Sequence, residues 1–262
     1  MMPELPSVEL FRRHVEDTSL HQPVARVDVM DEYILDETTP EQLEDALTGR
    51  CFNDTRRHGK YLFISAGGPW LAMHFGMTGR PVYLHGGDET PEHTRLLISF
   101  ANNRRLAFDC PRRLGHIALT TGMAAFIQRK NLGPDAGSIT WEQFQRRFQP
   151  RRGMLKPALM DQHAVAGVGN IIADEIVFQT GLHPEATIDR LDSAMLHDVY
   201  RTMRGILQTA VSRRIAREAL PGSYLAVHRN EGEPCPRCGT SLQRIRVSGR
   251  SSYVCPRCQE KP

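Results

Sequence analysis

Long apolar runs are what this sequence most plainly lacks. No stretch of about 18 apolar residues occurs in its 262 residues, which excludes a membrane-spanning helix. The opening residues, MMPELPSVELFRRH, contain no basic segment followed by an apolar one. No secretory signal is read there, and a cytosolic protein is expected. The G-x-x-x-x-G-K phosphate loop is missing, and no acidic cluster suggests a catalytic Mg²⁺. Repeats and low-complexity tracts are also absent. Lysine is scarce: of 33 basic residues only Lys60, Lys130, Lys156 and Lys261 are lysines. The remaining composition is ordinary, with 40% apolar and 24% charged residues. It excludes global disorder and fibrous architectures, and the length suffices for one or two domains with real cores.

A formal net charge of +3 conceals an asymmetry. Residues 201–262 hold twelve Lys/Arg against four Asp/Glu, a local balance of +8, which leaves −5 for the first 200 residues. A basic C-terminal quarter on a mildly acidic body points to an anionic partner, nucleic acid first. The alternative is a solvated surface in a chain of high arginine usage.

Six cysteines are present, and four of them read C-P-R-C, sixteen residues, C-P-R-C: Cys235, Cys238, Cys255 and Cys258. Each short knuckle can turn two sulfurs to one point, and two knuckles close a tetrahedral four-sulfur zinc site. The intervening residues suit a hairpin turning at Ser248-Gly249. A closed four-sulfur set makes one zinc ion structural, not catalytic. Disulfides are disfavoured in a chain without a secretory signal. Cys51 and Cys110 are expected to be small apolar fillers.

Local patterning gives an α+β chain. Residues 7–18 place Val8, Phe11 and Val15 on one helical face, with Ser7 as the cap. Between 24 and about 119 the segments VARVDVM, KYLFIS, WLAMHF, RLLISFA, RRLAFD and HIALT read as strands. One helix, at 41–47, interrupts them. The stretch 131–139 reads as a linker. Helical segments follow, the last from about 190 to 217. A second linker or extended loop covers 218–233, before the hairpin.

Seven short segments, in order, resemble the formamidopyrimidine-DNA glycosylase family, which also contains endonuclease VIII. They are MPELPSVE at the start, HGKYL at 58–62, HFGMTGR at 74–80, PRRLG at 111–115, LKPALMDQ at 155–162, GVGNIIADEI at 167–176 and GRSSYVCPRCQ at 249–259. The resemblance covers nearly the whole chain. It implies an N-terminal β-sandwich with flanking helices over 1–131, a helix–two-turns–helix domain over 140–225 and a zinc finger over 226–262. It also implies excision of oxidised bases, 8-oxoguanine and formamidopyrimidines, from duplex DNA, and a bacterial-type cytoplasmic location is expected; since one molecule acts on one lesion, a monomer is the default. Cleavage of the strand at the resulting abasic site would follow.

The resemblance further implies roles for particular residues. Pro3 would attack C1′ of the damaged nucleoside through its amine. An α-amino group has a pKa of about 8 and is nucleophilic near neutrality. Glu4 would be the general acid/base. Lys60 would contact phosphate beside the lesion and assist catalysis, His74 would be another phosphate contact, and Lys156 would lie by the pocket. Met77, between glycines, and Arg112 would fill the gap left by an everted nucleotide. Asn170, at a helix N-terminus, and Arg250, on the finger, would hold phosphates. Gly167 and Gly169 are expected to let a phosphate approach the backbone.

Some positions depart from the family pattern. The chain begins Met-Met-Pro, and Met2 is too large to permit removal of Met1. A start at Met2, which would expose Pro3, is therefore expected. Ser7 replaces a glutamate, Cys110 stands where an aspartate is usual, and Leu114 occupies an aromatic position. Preference between oxidised purines and oxidised pyrimidines stays open, as does the opposite-base preference. Two rivals remain: a catalytically silent protein that binds damaged or abasic DNA, and a zinc-ribbon protein of transcription or RNA handling. The second has no use for Glu4, Lys60 or Met77.

Overall fold

The computed structural model describes residues 3–212 and 220–261. In chain order its elements are α1 (Leu5–Ser19), β1 (Val24–Val29), α2 (Pro40–Leu47), β2 (Asp54–His58), β3 (Tyr61–Ser65), β4 (Trp70–His74), β5 (Arg80–Leu84), β6 (Thr94–Phe100), β7 (Arg105–Asp109), β8 (His116–Thr120), α3 (Met123–Arg129), α4 (Trp141–Phe148), α5 (Leu155–Met160), α6 (Asn170–Gln179), α7 (Ser193–Ser212), β9 (Gln243–Val247) and β10 (Arg250–Val254). They fall into two compact units. One holds Pro3 and Ser7–Asn131, the other Glu4–Pro6 and the described residues of 132–261.

The first unit is a β-sandwich. Its antiparallel sheets run β1-β6-β7-β5 and β2-β3-β4-β8. Period-2 alternation sends Val27, Ile98 and Phe108 of one sheet, and Leu62, Ile64 and Met73 of the other, into a shared core. Helix α1 adds Val8 and Val15, and α2 adds Leu43 and Leu47. A capping box between Thr39 and Gln42, with Pro40 at the first helical position, sets where α2 begins. On the outer face of the second sheet, α3 lays Phe126 against Tyr61 and Phe63, with ring centroids 5.0 and 5.4 Å apart.

Several expectations are corrected. Helix α1 starts at Leu5, so Ser7 lies inside its first turn and is not its cap. Strands β2 (DTRRH) and β5 (RPVYL) were not expected. Both are edge strands, which carry charge readily and tolerate Pro81. Helix α3 was not expected either. Cys110 is buried in the core as foreseen, but Cys51 is exposed.

The second unit packs α4–α7 around Phe144, Phe148, Leu155, Ile176 and Met203. The expected linker at 131–139 is part of this core. Ala136 and Ile139 are buried, and Ala136 N–H donates to Ala166 O at 2.8 Å. The described part of the second expected linker is packed too. Leu225 and Ala226 are buried there. Positions 213–217 of the expected long helix lie outside the described residues. The hairpin β9–β10 turns at Ser248-Gly249 as foreseen, with φ of 46° and 79°, the geometry of a two-residue type I′ loop.

Candidate active site

In the first unit, one end of the β2-β3-β4-β8 sheet gathers several expected residues. Lys60 lies in the two-residue loop between β2 and β3 and is buried. Tyr61, His74 and His116 stand opposite one another across β3, β4 and β8. The His74 ring is 4.9 Å from Tyr61 and 6.2 Å from His116. Burial, helped by His116 and Lys60, pushes the His74 imidazole down to about 4. Its Nδ1 accepts from Gly76 N–H at 3.3 Å, so the neutral ring carries its proton on Nε2 as a donor.

Just beyond β4, Met77 stands on a turn and is 37% exposed. A Cβ placed on Gly76 (φ +56°) would lie 2.3 Å from the carbonyl of Leu114. Only glycine lets the Met77 turn pack on the 111–114 loop in this way. In that loop Arg112 is exposed and makes no hydrogen bond or ion pair among the described residues, and Leu114 is also exposed.

In the second unit the N-terminus of α6 organises the site. The carboxylate of Glu4 accepts from Gly169 N (2.9 Å), Ile171 N (2.8 Å) and Ile172 N (3.1 Å). These N–H groups were expected to face a phosphate, and the chain supplies its own anion instead. The helix dipole favours any anion there, and Glu4 is tethered. A Cβ on Gly169 would lie 2.3 Å from the Glu4 carboxyl carbon, and one on Gly167 would lie 2.7 Å from the Leu5 side chain. Both glycines therefore make room for the amino-terminal segment, not for a phosphate. Pro3, one residue before, is buried.

Asn170 is not a cap, since Gly169 holds that position. Its side-chain amide donates to Ser251 O of β10 at 3.0 Å. Lys156, expected beside the pocket, is buried, with its ammonium 2.7 Å from Asp174 and hydrogen-bonded to Ser252. Burial pushes this lysine down even though Asp174 holds it up. Asp174 also pairs with Arg229, whose guanidinium lies 5.0 Å from the Tyr253 ring centroid. Glu175 accepts from Ala226 N at 2.7 Å, and burial pushes its carboxyl up. This network joins α5 and α6 to β10, and so fixes the strand beside the exposed Arg250. The sequence reading missed Asp174 and Arg229. Two acids inside the apolar run IIADEIVF were the signal, because buried acids need partners.

The sulfurs of Cys235, Cys238, Cys255 and Cys258 all lie within 4.8 Å of one another. A tetrahedral ion with bonds of about 2.3 Å needs sulfurs about 3.8 Å apart. Knuckle N–H groups of Arg237 and Cys258 point at Cys235 and Cys255 Sγ, each at 3.4 Å. The donor set fits one structural zinc ion, held by these four thiolates.

Comparisons with known proteins agree along the chain. Residues 2–117 match the formamidopyrimidine-DNA glycosylase N-terminal domain, 132–218 its H2TH domain, and 232–261 the zinc finger found in FPG and IleRS. A formamidopyrimidine-DNA glycosylase of Pelotomaculum thermopropionicum is 33% identical, over 99% of each chain. Lactococcus lactis Fpg, crystallised with DNA containing N7-benzyl-Fapy-dG, superposes with a TM-score of 0.90 at 28% identity. That match covers 99% of this chain and all of the other. The same protein with abasic-site DNA gives 0.88 at 28% identity, covering 98% of this chain and 100% of the other. The chain belongs to the formamidopyrimidine-DNA glycosylase family.

Proposed function

We propose that this chain is a bifunctional DNA glycosylase and abasic-site lyase that removes oxidised purines from duplex DNA in base excision repair. The observation that carries the reading is Glu4, fixed by three backbone N–H groups one residue after Pro3. The L. lactis complexes, one with a substituted formamidopyrimidine nucleoside and one with an abasic site, support the substrate class.

The chemistry follows from the residues. With Met1 and Met2 absent, Pro3 presents a secondary amine whose lone pair attacks C1′ while the base leaves with its bonding electrons and takes up a proton. Loss of the amine proton and opening of the sugar ring give an iminium. That cation acidifies the C2′ hydrogen. Removing it expels the 3′ phosphate by β-elimination, and a second elimination expels the 5′ phosphate. Glu4 accepts three N–H bonds, a donor set matched by the ionised carboxylate. We assign it to stabilising the cation that develops at C1′ and to taking up protons as they are released. Lys60 and the Nε2–H of His74 are the proposed phosphate donors of the first unit, and Met77, Arg112 and Leu114 the wedge. In the second unit Arg250 is the proposed phosphate contact, with Lys156 and Asn170 bracing its hairpin. Zinc, held by the four cysteines, would stabilise the finger and take no part in bond making. We place this action in the bacterial cytoplasm, by a monomer.

Borohydride trapping on a duplex with one abasic site, read with intact mass, tests the scheme. A covalent adduct mapping to Pro3 supports it, and a lesion panel then separates purine from pyrimidine preference. Tight binding without an adduct, from protein whose mass shows Pro3 at its terminus, overturns it in favour of a silent damage sensor.

A further inference from the structure

The motif PRRLG offers two adjacent arginines, and the geometry gives them different work. Arg112 points to solvent. Arg113 turns back onto Asp31, with Nε to Oδ2 at 2.6 Å and Nη2 to Oδ1 at 2.8 Å, a fork laid on a carboxylate. Its guanidinium also covers the Tyr33 ring, 5.2 Å from the centroid. Asp31 is itself held firmly. It accepts from Tyr33 N at 3.1 Å, lies 3.6 Å from Arg95 Nη1, and is followed by the fully buried Ile34. Arg113 pairs in this way while its backbone is at φ +55°, in the left-handed region. A side chain-bearing residue persists there only where its surroundings over-determine it. Arg113 N–H donates to Cys110 O at 3.2 Å, closing the turn on the buried Cys110. On its other side the loop is braced by the Gly76 contact with Leu114.

We propose that Asp31 is a positioning residue for the proposed DNA wedge, acting through Arg113 to hold the loop that presents Arg112 and Leu114. This inference rests on the reading that those two residues enter the duplex. Arg113, with both arms of its fork on one carboxylate, serves as a surface strut for the loop and not as a phosphate contact. Releasing it lets the loop leave the left-handed turn, and Arg112 and Leu114 then lose their shared direction.

The test compares two substrates of the whole, zinc-loaded protein. One is a duplex carrying an oxidised purine, and the other is a single-stranded oligonucleotide with a preformed abasic site, which has no partner strand to wedge against. Asp31→Ala is expected to slow base excision from the duplex by about 10- to 100-fold, the cost of a misplacement of about 1 Å. It should leave nicking of the single strand within twofold of wild type. Arg113→Lys should resemble Asp31→Ala, because lysine has no fork. The double variant Asp31→Ala/Arg113→Ala should be no worse than either single one. If Asp31→Ala melts early, Asp31→Asn decides, since it keeps the bond to Tyr33 N and removes the charge. Wild-type rates on the duplex, or equal losses on both substrates, would overturn the proposal. Arg112→Ala run in parallel separates the two readings. If it slows duplex excision and Asp31 variants do not, only the role of Asp31 falls. If neither does, the wedge falls with it.

Discussion

Substituting Asp174 by alanine takes away the carboxylate lying between Lys156 and Arg229, at a place where all three side chains are at most 7% exposed. Two cations are then left facing each other without water. Removing one partner of a buried pair in this way costs about 3–5 kcal/mol. Lys156→Met is a different perturbation. It leaves Asp174 paired with Arg229, and it deletes an ammonium whose burial already works against its charge. That change is expected to cost about 0–2 kcal/mol. The chain offers a convenient reporter. Its only tryptophans are Trp70 and Trp141, of which the second stands on α4 in the helical unit. In a Trp70→Phe background, urea unfolding followed by Trp141 fluorescence reads that unit alone. With a slope of about 2 kcal/mol/M, the two midpoints should differ by about 0.5 M or more, Asp174→Ala being the lower. A pH arm adds a signed check. A lysine pushed below its ordinary 10.5 binds fewer protons folded than unfolded, so stability rises with pH in the window ending at that value. The rise should vanish in Lys156→Met. Midpoints for Asp174→Ala and Lys156→Met within about 0.3 M, or an unchanged pH slope, would refute the account of this buried network.

Other outcomes follow from the same geometry. Gly169→Ala puts a methyl 2.3 Å from the Glu4 carboxyl carbon, so it should mimic Glu4→Gln. Both should slow base excision by about 10²- to 10⁴-fold with little change in DNA affinity, and ordinary turnover by Gly169→Ala would remove Glu4 from the chemistry. Stripping zinc with a chelator should unfold the finger, since structural zinc contributes about 10–16 kcal/mol in finger peptides. Gel-shift affinity should fall and return with added Zn²⁺, and full affinity in zinc-free protein would contradict the role given to the hairpin. Arg250→Ala should retain zinc, weaken DNA binding about tenfold and lower the salt slope by about 1. His74, held at about 4 against an ordinary 6.5, is bound by more protons in the unfolded chain across that window. Stability of the sandwich should therefore rise as pH climbs from 4 to 6.5, with part of the rise lost in His74→Asn. A His74 NMR signal that titrates near pH 6.5 in the folded protein would show the ring to be solvated instead.

What could be read directly from the residues was set by local spacing. The four cysteines and the Ser248-Gly249 turn fall within 24 residues, so knuckle and hairpin geometry were legible without tertiary information. The strands buried in the sandwich were legible for the same reason, because alternation records a two-sided environment. Edge strands record less. Asp54–His58 carries charge because one of its sides meets no strand, and so it was not among the expected strands. Long-range pairings were not legible at all. Glu4 reaches α6 across 165 intervening steps, and nothing near GVGN says that its N–H groups are already engaged. The adjacent Arg112 and Arg113 look equivalent until the carboxylate of Asp31, 82 residues away, distinguishes them. Lys156 was expected by the pocket, and burial, invisible to composition, makes it one of two cations on Asp174.

Because Glu4 is seated by amides of residues 169, 171 and 172, the first functional residues made by the ribosome acquire their geometry from a segment made much later. A nascent chain halted before α6, or a fragment ending there, has the amine but no seat for its neighbouring carboxylate. On the proposed mechanism, strand cutting therefore waits for synthesis of residues 169–172.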